Sequence, residues 1–323
     1  MTDQAVPRKR VTVVVPCYNE EDNVGPLYEA LKGLLGKESN YAFDFLFIDN
    51  ASTDSTAAKL RALAAGDPAV RVILNARNFG WVRSPMHALQ QADGDAAILM
   101  AADFQDPPEL LPEFLRLWEA GNDVVLGEKI QSEENPLMYR VRSFYYWLVA
   151  KLSSVHLPRH VTGFGLYDRK FLAIFRRLND PSPYLRGLVA EVGLPLARVP
   201  FRQPLRRFGV TKSNFYLLYE QAMLGITNHS KVPLRLMTMS GFVMSLGSLF
   251  VAFAYLLAKL VLWEYFTLGT APLLIAFFFF ASVQLFFLGV LGEYIGAIHT
   301  YVQNRPLVVE RERINFGPAD PPR

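Results

Sequence analysis

Two stretches near the C-terminus constrain this chain more than anything else in it. Leu236 to Ala258 runs for 23 residues without a charged side chain, and Pro272 to Gly292 runs for 21. Each is long enough to cross a hydrocarbon core of roughly 30 Å as a helix, so the expectation is a transmembrane hairpin with spans near 236–262 and 272–298. Buried core helices are the competing reading, but these are usually shorter and amphipathic. Lys231 and Arg235 flank the first span and Arg305, Arg311 and Arg313 follow the second, while the connection WEYFTLGTA (263–271) carries no Lys or Arg. By the positive-inside rule both long ends lie in the cytoplasm. Lys259 and Glu293 fall at span ends, and Trp263, Tyr265 and Tyr294 suit interfacial depth.

The spans account for a composition that is 51% apolar over 323 residues, rich for a soluble protein. The N-terminal MTDQAVPRKR has charge but no apolar stretch of signal type, so the large N-terminal portion is expected to stay in the cytoplasm, at the inner face of a cytoplasmic membrane. A lone Cys17 excludes an internal disulfide and a cysteine-based zinc site. The net charge of +3 comes with no zinc pattern, basic repeat or aromatic RNA-binding signature, so nucleic acid is not indicated. A basic tilt on a membrane-docked domain suits anionic headgroups or phosphorylated substrates.

Upstream, short apolar runs alternate with helical segments: VTVVV (11–15), FDFLFI (43–48), VRVIL around 71–74, AAILM (96–100) and DVVLG (123–127). This spacing predicts an α/β fold with a mostly parallel, Rossmann-like sheet covered on both faces. Beyond Gly127 the pattern weakens. MYRVRSFYYWLVAKL (138–152) reads equally as an interfacial or a sheet-covering helix, and SNFYLLYEQAMLGI (213–226) as an interfacial helix leading into the first span. The terminal NFGPADPPR is the one stretch expected to be loose.

No GxxxxGK[ST] is present, and the Gly163–Gly165 pair lacks the third glycine and the strand-to-helix setting of a dinucleotide fingerprint. The strands instead release polar groups at their C-terminal ends: PCYNEEDN, DNASTDST, NARNFG and ADFQDPPE. That arrangement lines Glu20, Asp49, Asn78 and Asp103 along one crevice, where open α/β sheets bind ligands. Asp103 follows its strand directly, with no cap pattern to claim it. Asp49 has a rival role as a turn-forming residue in DNAS. Asp106, followed by two prolines and by Glu109 three positions on, reads as a helix N-cap. Asp168 reads as an ion-pair partner of Arg169 or Lys170 at a helix start. The five histidines, His87, His156, His160, His229 and His299, show no ligand spacing and read as structural.

VPCYNEEDN, IDNASTDST, ARNFG, DFQDPPE, the basic RRFGVTKS (206–213) and LGEYIG (291–296), in this order around two C-terminal spans, resemble the polyisoprenyl-phosphate glycosyltransferases. These are a branch of the inverting GT-A, family 2 enzymes that includes dolichol-phosphate mannose synthases. The resemblance implies a GT-A domain over 1–212, an interfacial region over 213–232, the spans within 233–303 and a cytoplasmic tail over 304–323. It implies transfer of a sugar from a nucleotide-sugar, preferably a UDP-sugar, to polyprenyl (undecaprenyl) phosphate with Mg²⁺ or Mn²⁺. Carried over by motif, Pro16, Tyr18 and Glu20 border the nucleoside, with Asn78 beside them, and Asp49 meets the base. Asp103 and Gln105 hold the metal, and Arg206, Lys212 and Ser213 meet donor or acceptor phosphates.

Three acids of the family pattern are absent: the family writes DxD where this chain has Ala101-Ala102-Asp103, DDGS at Asp49–Ser52, and GDFRL at Gly163–Leu166. Two other readings follow. A processive polysaccharide synthase would carry more spans and a QxxRW motif, which is missing; a membrane-anchored scaffold with decayed acids would need neither. The short hairpin, with few polar interior residues, is also compatible with a homo-oligomer.

Overall fold

The computed structural model describes residues 8–131, 161–178, 180–181, 183–204, 232–261, 270–303 and 305–317. Arg206, Lys212 and Ser213, the segments 138–152 and 213–226, and His156, His160 and His229 lie outside the described residues.

Strands β1 (Lys9–Cys17), β2 (Tyr41–Asp49), β3 (Val70–Asn75), β4 (Ala96–Leu99) and β5 (Val124–Gln131) fall where the apolar runs place them. Three more join them: β6 (Val161–Asp168), β7 (Leu196–Arg202) and β8 (Glu310–Ile314), giving one sheet ordered β7-β5-β6-β4-β1-β2-β3-β8. The β4-β1-β2-β3 centre is parallel, while β6 runs antiparallel to both β4 and β5, and β8 antiparallel to β3.

Alternation along β1 divides the core. Val11, Val13 and Val15 pack beneath α1 (Val24–Leu35), α2 (Thr56–Gly66) and α4 (Leu111–Glu119). Val14 faces α3 (Gly80–Gln91), α5 (Arg169–Leu178) and α6 (Leu185–Val192) on the other side. Burial on both faces explains why the central strands read as unbroken apolar runs rather than alternating ones. Because β1 lies between β2 and β4, the chain reverses its winding there, and the crevice opens above the C-terminal ends of β1 and β4.

Helices α7 (Val232–Val261) and α8 (Thr270–Gln303) form the apolar pair. Both start a few residues before the expected spans, and α8 runs on to Gln303. Val232–Tyr255 and Ala276–Gln303 are long and apolar enough to cross a membrane, and among the described residues their most apolar windows hold no buried residue. Exposed Phe242, Leu249, Phe250, Phe278 and Phe286 form a surface that only lipid or a partner can cover in water, so the pair associates the chain with a membrane. Thr238, Ser282 and Thr300 donate their hydroxyls back to the carbonyls of Leu234, Phe278 and Gly296, which satisfies them inside apolar surroundings.

The stretch after α8, expected as a tail, returns to the sheet as β8. Buried Glu310 accepts from Arg313 and pairs with His87 of α3, and Glu312 pairs with Arg61 of α2 at 2.7 Å. Burial alone would push the Glu310 carboxyl up, but the hydrogen bonds with His87 and Arg313 hold it below the usual range. The first residues of NFGPADPPR are tied as well: the Asn315 side chain donates to the carbonyls of Ala64 (2.7 Å) and Val70 (2.8 Å), and Arg313 stacks on Phe316, while 318–323 lie outside the described residues. His87 is therefore structural, as its sequence setting predicts.

Candidate active site

The polar runs after β1 and β2 bind each other. The Asn19 amide donates to Ser52 Oγ (2.8 Å), Thr53 N–H to Asn19 Oδ1 (2.8 Å), Glu20 N–H to Thr56 Oγ1 (2.8 Å), and Ser55 N–H to Glu21 Oε2 (3.0 Å). Asp54 sits in the same seam. Burial would raise its carboxyl, but donors from Thr56 and Glu21 hold it below the ordinary range. NEEDN and STDST thus form one double loop that presents half-buried Tyr18 and Glu20 beside Pro16.

Asp49 stands at the end of β2, opposite Cys17, with no exposed surface; both its oxygens face the Ser52 N–H at 3.2 and 3.3 Å. In this conformation it offers the crevice no open oxygen, and its turn-forming role is the one the structure displays. Burial pushes the neighbouring Cys17 thiol well up, with Asp49, Glu20 and Asp54 adding to the rise, so the floor of the crevice is negative.

Asn50, at the second position of DNAS, makes full use of its amide. Nδ2 donates to Asn78 Oδ1 (2.9 Å) and to the Gly80 carbonyl (3.1 Å), while Oδ1 accepts from Asn75 Nδ2 (3.0 Å) and Phe79 N–H (2.9 Å). A carboxylate here would point an oxygen at two acceptors. The missing acid at 50 is therefore a structural amide, and Asn78, expected at the donor, has its side-chain oxygen engaged by Asn50 and by Gly80 N–H.

Beyond β4, Asp103 is 4% exposed, and its Oδ1 accepts from the Gln105 backbone N–H at 3.1 Å. Phe104 between them has φ +61°, a left-handed conformation that is strained for a bulky residue. Asn19 and Ala51 share it, so three of the four non-glycine residues with positive φ among those described sit in the loops around this crevice. Among the described residues no three His, Cys, Asp or Glu side chains gather as a ligand set. Asp103 and Gln105 fit a hard cation that takes one carboxylate and an amide oxygen from protein and its remaining oxygens from substrate phosphates and water.

Asp106 does not cap a helix. The short 3₁₀ turn Pro108–Leu110 begins after Pro107 without any side-chain cap, and Asp106 Oδ2 instead accepts the Ala101 N–H at 2.8 Å. Burial pushes its carboxyl up to about 7; the Ala101 bond opposes the rise and the Asp103 charge adds to it. Asp106, Ala101 and Gly163 line one cavity of about 170 Å³ with Pro16, Trp81 and Arg186. Gly163 has φ +99° and its carbonyl accepts the Tyr167 hydroxyl at 2.7 Å, so this position has a backbone that favours glycine.

Asp168 ends antiparallel β6 and pairs with Ala96 at the start of β4, hence at the far edge of the sheet from the crevice. It accepts Trp118 Nε1 (2.7 Å) and the Lys170 amide (2.8 Å), while Arg169 and Lys170 pair with Asp95 and Asp123. Its place is the helix start, without the expected ion pair.

A model of glycosyl transferase family 2 matches residues 12–187, more than half of the chain and every crevice residue described above. The chain belongs to glycosyl transferase family 2. It is 32% identical to the SfII prophage-derived bactoprenol glucosyl transferase of Shigella flexneri over 96% of this chain and all of that one. It is also 32% identical to the glycosyltransferase YkcC of Bacillus subtilis (strain 168), covering 92% of each. Among solved structures, glucosyl-3-phosphoglycerate synthase from Mycobacterium tuberculosis, in complex with Mn²⁺, UDP-glucose and phosphoglyceric acid, is 19% identical over 68% of this chain and 79% of that one, with a TM-score of 0.50. That likeness shows the GT-A fold. The family-2 protein is a glycosyltransferase with a GT-A domain and two apolar helices, as the sequence resemblance implies.

Proposed function

We propose that this glycosyltransferase moves one sugar from a nucleotide-sugar, UDP-linked by preference, to the phosphate of a polyprenol at the cytoplasmic face of the membrane. The observation that carries the reading is the joining of crevice and hairpin: β7 leads toward the helix pair, β8 returns from it, and both belong to the sheet that forms the crevice. This supports both ends of the hairpin lying on the catalytic side, and Lys231, Arg235, Arg305 and Arg311 favour that side being cytoplasmic. A polyprenyl chain gains about 0.8 kcal/mol per buried CH₂ and stays in the bilayer, so the crevice has to be held at headgroup height. The bactoprenol-directed relatives, matched over nearly their whole length, point to the same acceptor.

In this reading Pro16, Tyr18 and Glu20 border the nucleoside, with Asp49 and Asn78 shaping the loops behind them. Asp103 and Gln105 would hold Mg²⁺ or Mn²⁺; when bound, the cation neutralises the charge that develops on the departing diphosphate. Arg206, Lys212 and Ser213 would meet phosphates. The acceptor phosphate has its second pKa near 6, so at neutral pH it is mostly a dianion and already a nucleophile. No proton needs abstracting, which makes Gly163 compatible with transfer; what the chain must supply is alignment.

The test is the purified full chain in lipid nanodiscs with undecaprenyl phosphate, a panel of nucleotide-sugars and either cation, read by mass spectrometry of the lipid. A glycosyl-phospholipid is expected, and Asp103→Asn should lower its formation at least 100-fold with melting unchanged. Unaltered turnover by that variant would overturn the assignment of Asp103. No product across the panel, with nucleotide binding intact, would favour the scaffold reading that Ala101 and Gly163 motivate.

A further inference from the structure

The cavity beside the β4 loop has an unusual composition. Two of the three positions where the family pattern has an acid, Ala101 and Gly163, open onto it, and the acid that lines it is Asp106. Its other walls are apolar, from Pro16, Leu99, Met86 and Phe164, with Trp81 and Tyr184 as the aromatic members and Arg186 as the cation. Trp81 is 44% exposed. The space, about 170 Å³, equals that of five or six waters, well below the pocket of a drug-sized ligand and suited to a single small ring.

Asp106 is 7% exposed, yet among the described residues its carboxylate has one hydrogen bond, from the Ala101 N–H, and no ion pair. Holding one backbone N–H needs an oxygen but not a charge, and an asparagine would serve. A buried carboxyl group with most of its hydrogen-bonding capacity unused is costly unless a ligand supplies the partners. A sugar ring offers that match: hydroxyl donors around its edge and apolar C–H groups on its faces.

We propose that this cavity seats the transferred sugar ring and that Asp106 reads its hydroxyls, which makes Asp106 a specificity residue of the donor site. The proposal deepens the reading above and rests on it for a nucleotide-sugar donor. Hydrogen bonds between sugar hydroxyls and the Asp106 carboxyl would be strong in this dry setting. A buried acceptor left unpaired by the wrong epimer is how a polar site discriminates well beyond what apolar contact achieves. Trp81 bounds the mouth and would face the C–H side of the ring.

The experiment compares affinity for the free nucleoside diphosphate with affinity for its hexose conjugates, using the full chain in nanodiscs with Mn²⁺ and running UDP and GDP series in parallel. In Asp106→Asn the amide oxygen can still accept from Ala101, so the loop is kept. The variant should bind the diphosphate within twofold of wild type, lose at least tenfold for the preferred hexose conjugate, and no longer separate gluco from galacto epimers. Equal loss for diphosphate and conjugate would assign Asp106 to the loop or the cation and overturn the proposal, as would no loss at all. Should Asp106→Asn fail to fold, Trp81→Ala decides alone: at least a threefold loss for the conjugate with the diphosphate unchanged supports the proposal, and unchanged conjugate binding overturns it. If wild type binds neither diphosphate with Mn²⁺, the donor reading fails and the proposal with it; intact diphosphate binding with an indifferent Asp106→Asn sinks the proposal alone.

Discussion

The two sides of the crevice use polar residues in opposite ways. After β1, β2 and β3, the side chains of Asn19, Asn50, Asp54 and Asn78 hold the loops to one another through protein hydrogen bonds. After β4, and at the start of β6, Ala101 and Gly163 leave an apolar cavity around a single under-used carboxylate. Departures from a family motif are therefore not equivalent. Asn50 substitutes a structural amide for an acid, whereas Ala101 and Gly163 remove functional groups from the place where the substrate is expected.

Asn50→Asp should have the largest effect. The new carboxylate would face Asn78 Oδ1 and the Gly80 carbonyl in place of two donated hydrogen bonds, in a residue that is 6% exposed. A loss of about 3 kcal/mol is expected, visible as a clear drop in melting temperature together with weakened nucleotide binding. A variant as stable as wild type would mean that the amide hub is not what holds the loops together.

Gly163→Asp probes the other side and should cost less, about 2 kcal/mol, because any side chain at φ +99° is strained. The space itself is adequate: a Cβ would stand 3.5 Å from the nearest atom, Leu185 Cδ2. Restoring the family's acid is expected to lower stability without raising turnover, since the ionised acceptor needs no base. Increased glycolipid formation by this variant would contradict that account of the chemistry.

The parts of the fold that were legible in the sequence were those where one physical cause dominated. Strands β1 to β5 are buried on both faces and read as apolar runs. Strand β6 was missed because Gly163 and Gly165 interrupt it, and a Cβ at Gly165 would stand 2.4 Å from the Val125 carbonyl, a cross-strand approach that leaves no room for a side chain. Strand β8, ERERI, escaped because its charges are satisfied by His87, Arg61 and its own neighbours, partners more than 200 residues away in sequence that composition does not reveal. A short charged strand is also what protects a sheet edge, so the signal was present but spoke of exposure. In the site, the turn after β4 that carries Asp103 was legible from the end of the apolar run, although the strand itself stops at Leu99. Asp106 was misread because D-P-P-E satisfies the capping pattern, while the backbone at Pro107 is extended and turns the carboxylate back toward Ala101.

Relieving strain in the locked loops should have a smaller effect, of opposite sign. Ala51, in the loop that joins Asp49 to Ser52, has φ +59°, and a left-handed alanine costs about 1 kcal/mol relative to its relaxed state. Ala51→Gly removes that strain but gives the unfolded chain more freedom, which offsets roughly half of the gain. A net stabilisation of about 0.5 kcal/mol is expected, a rise of one or two degrees in melting temperature for a chain of this size. Nucleotide affinity should not change, because the Asp49–Ser52 hydrogen bonds do not involve the Ala51 side chain. A fall in stability would show that the loop is not held left-handed. Glycine at 51 and aspartate at 163 thus form a reciprocal pair: each brings its position to the family's residue, and only the one that suits the local backbone should be tolerated.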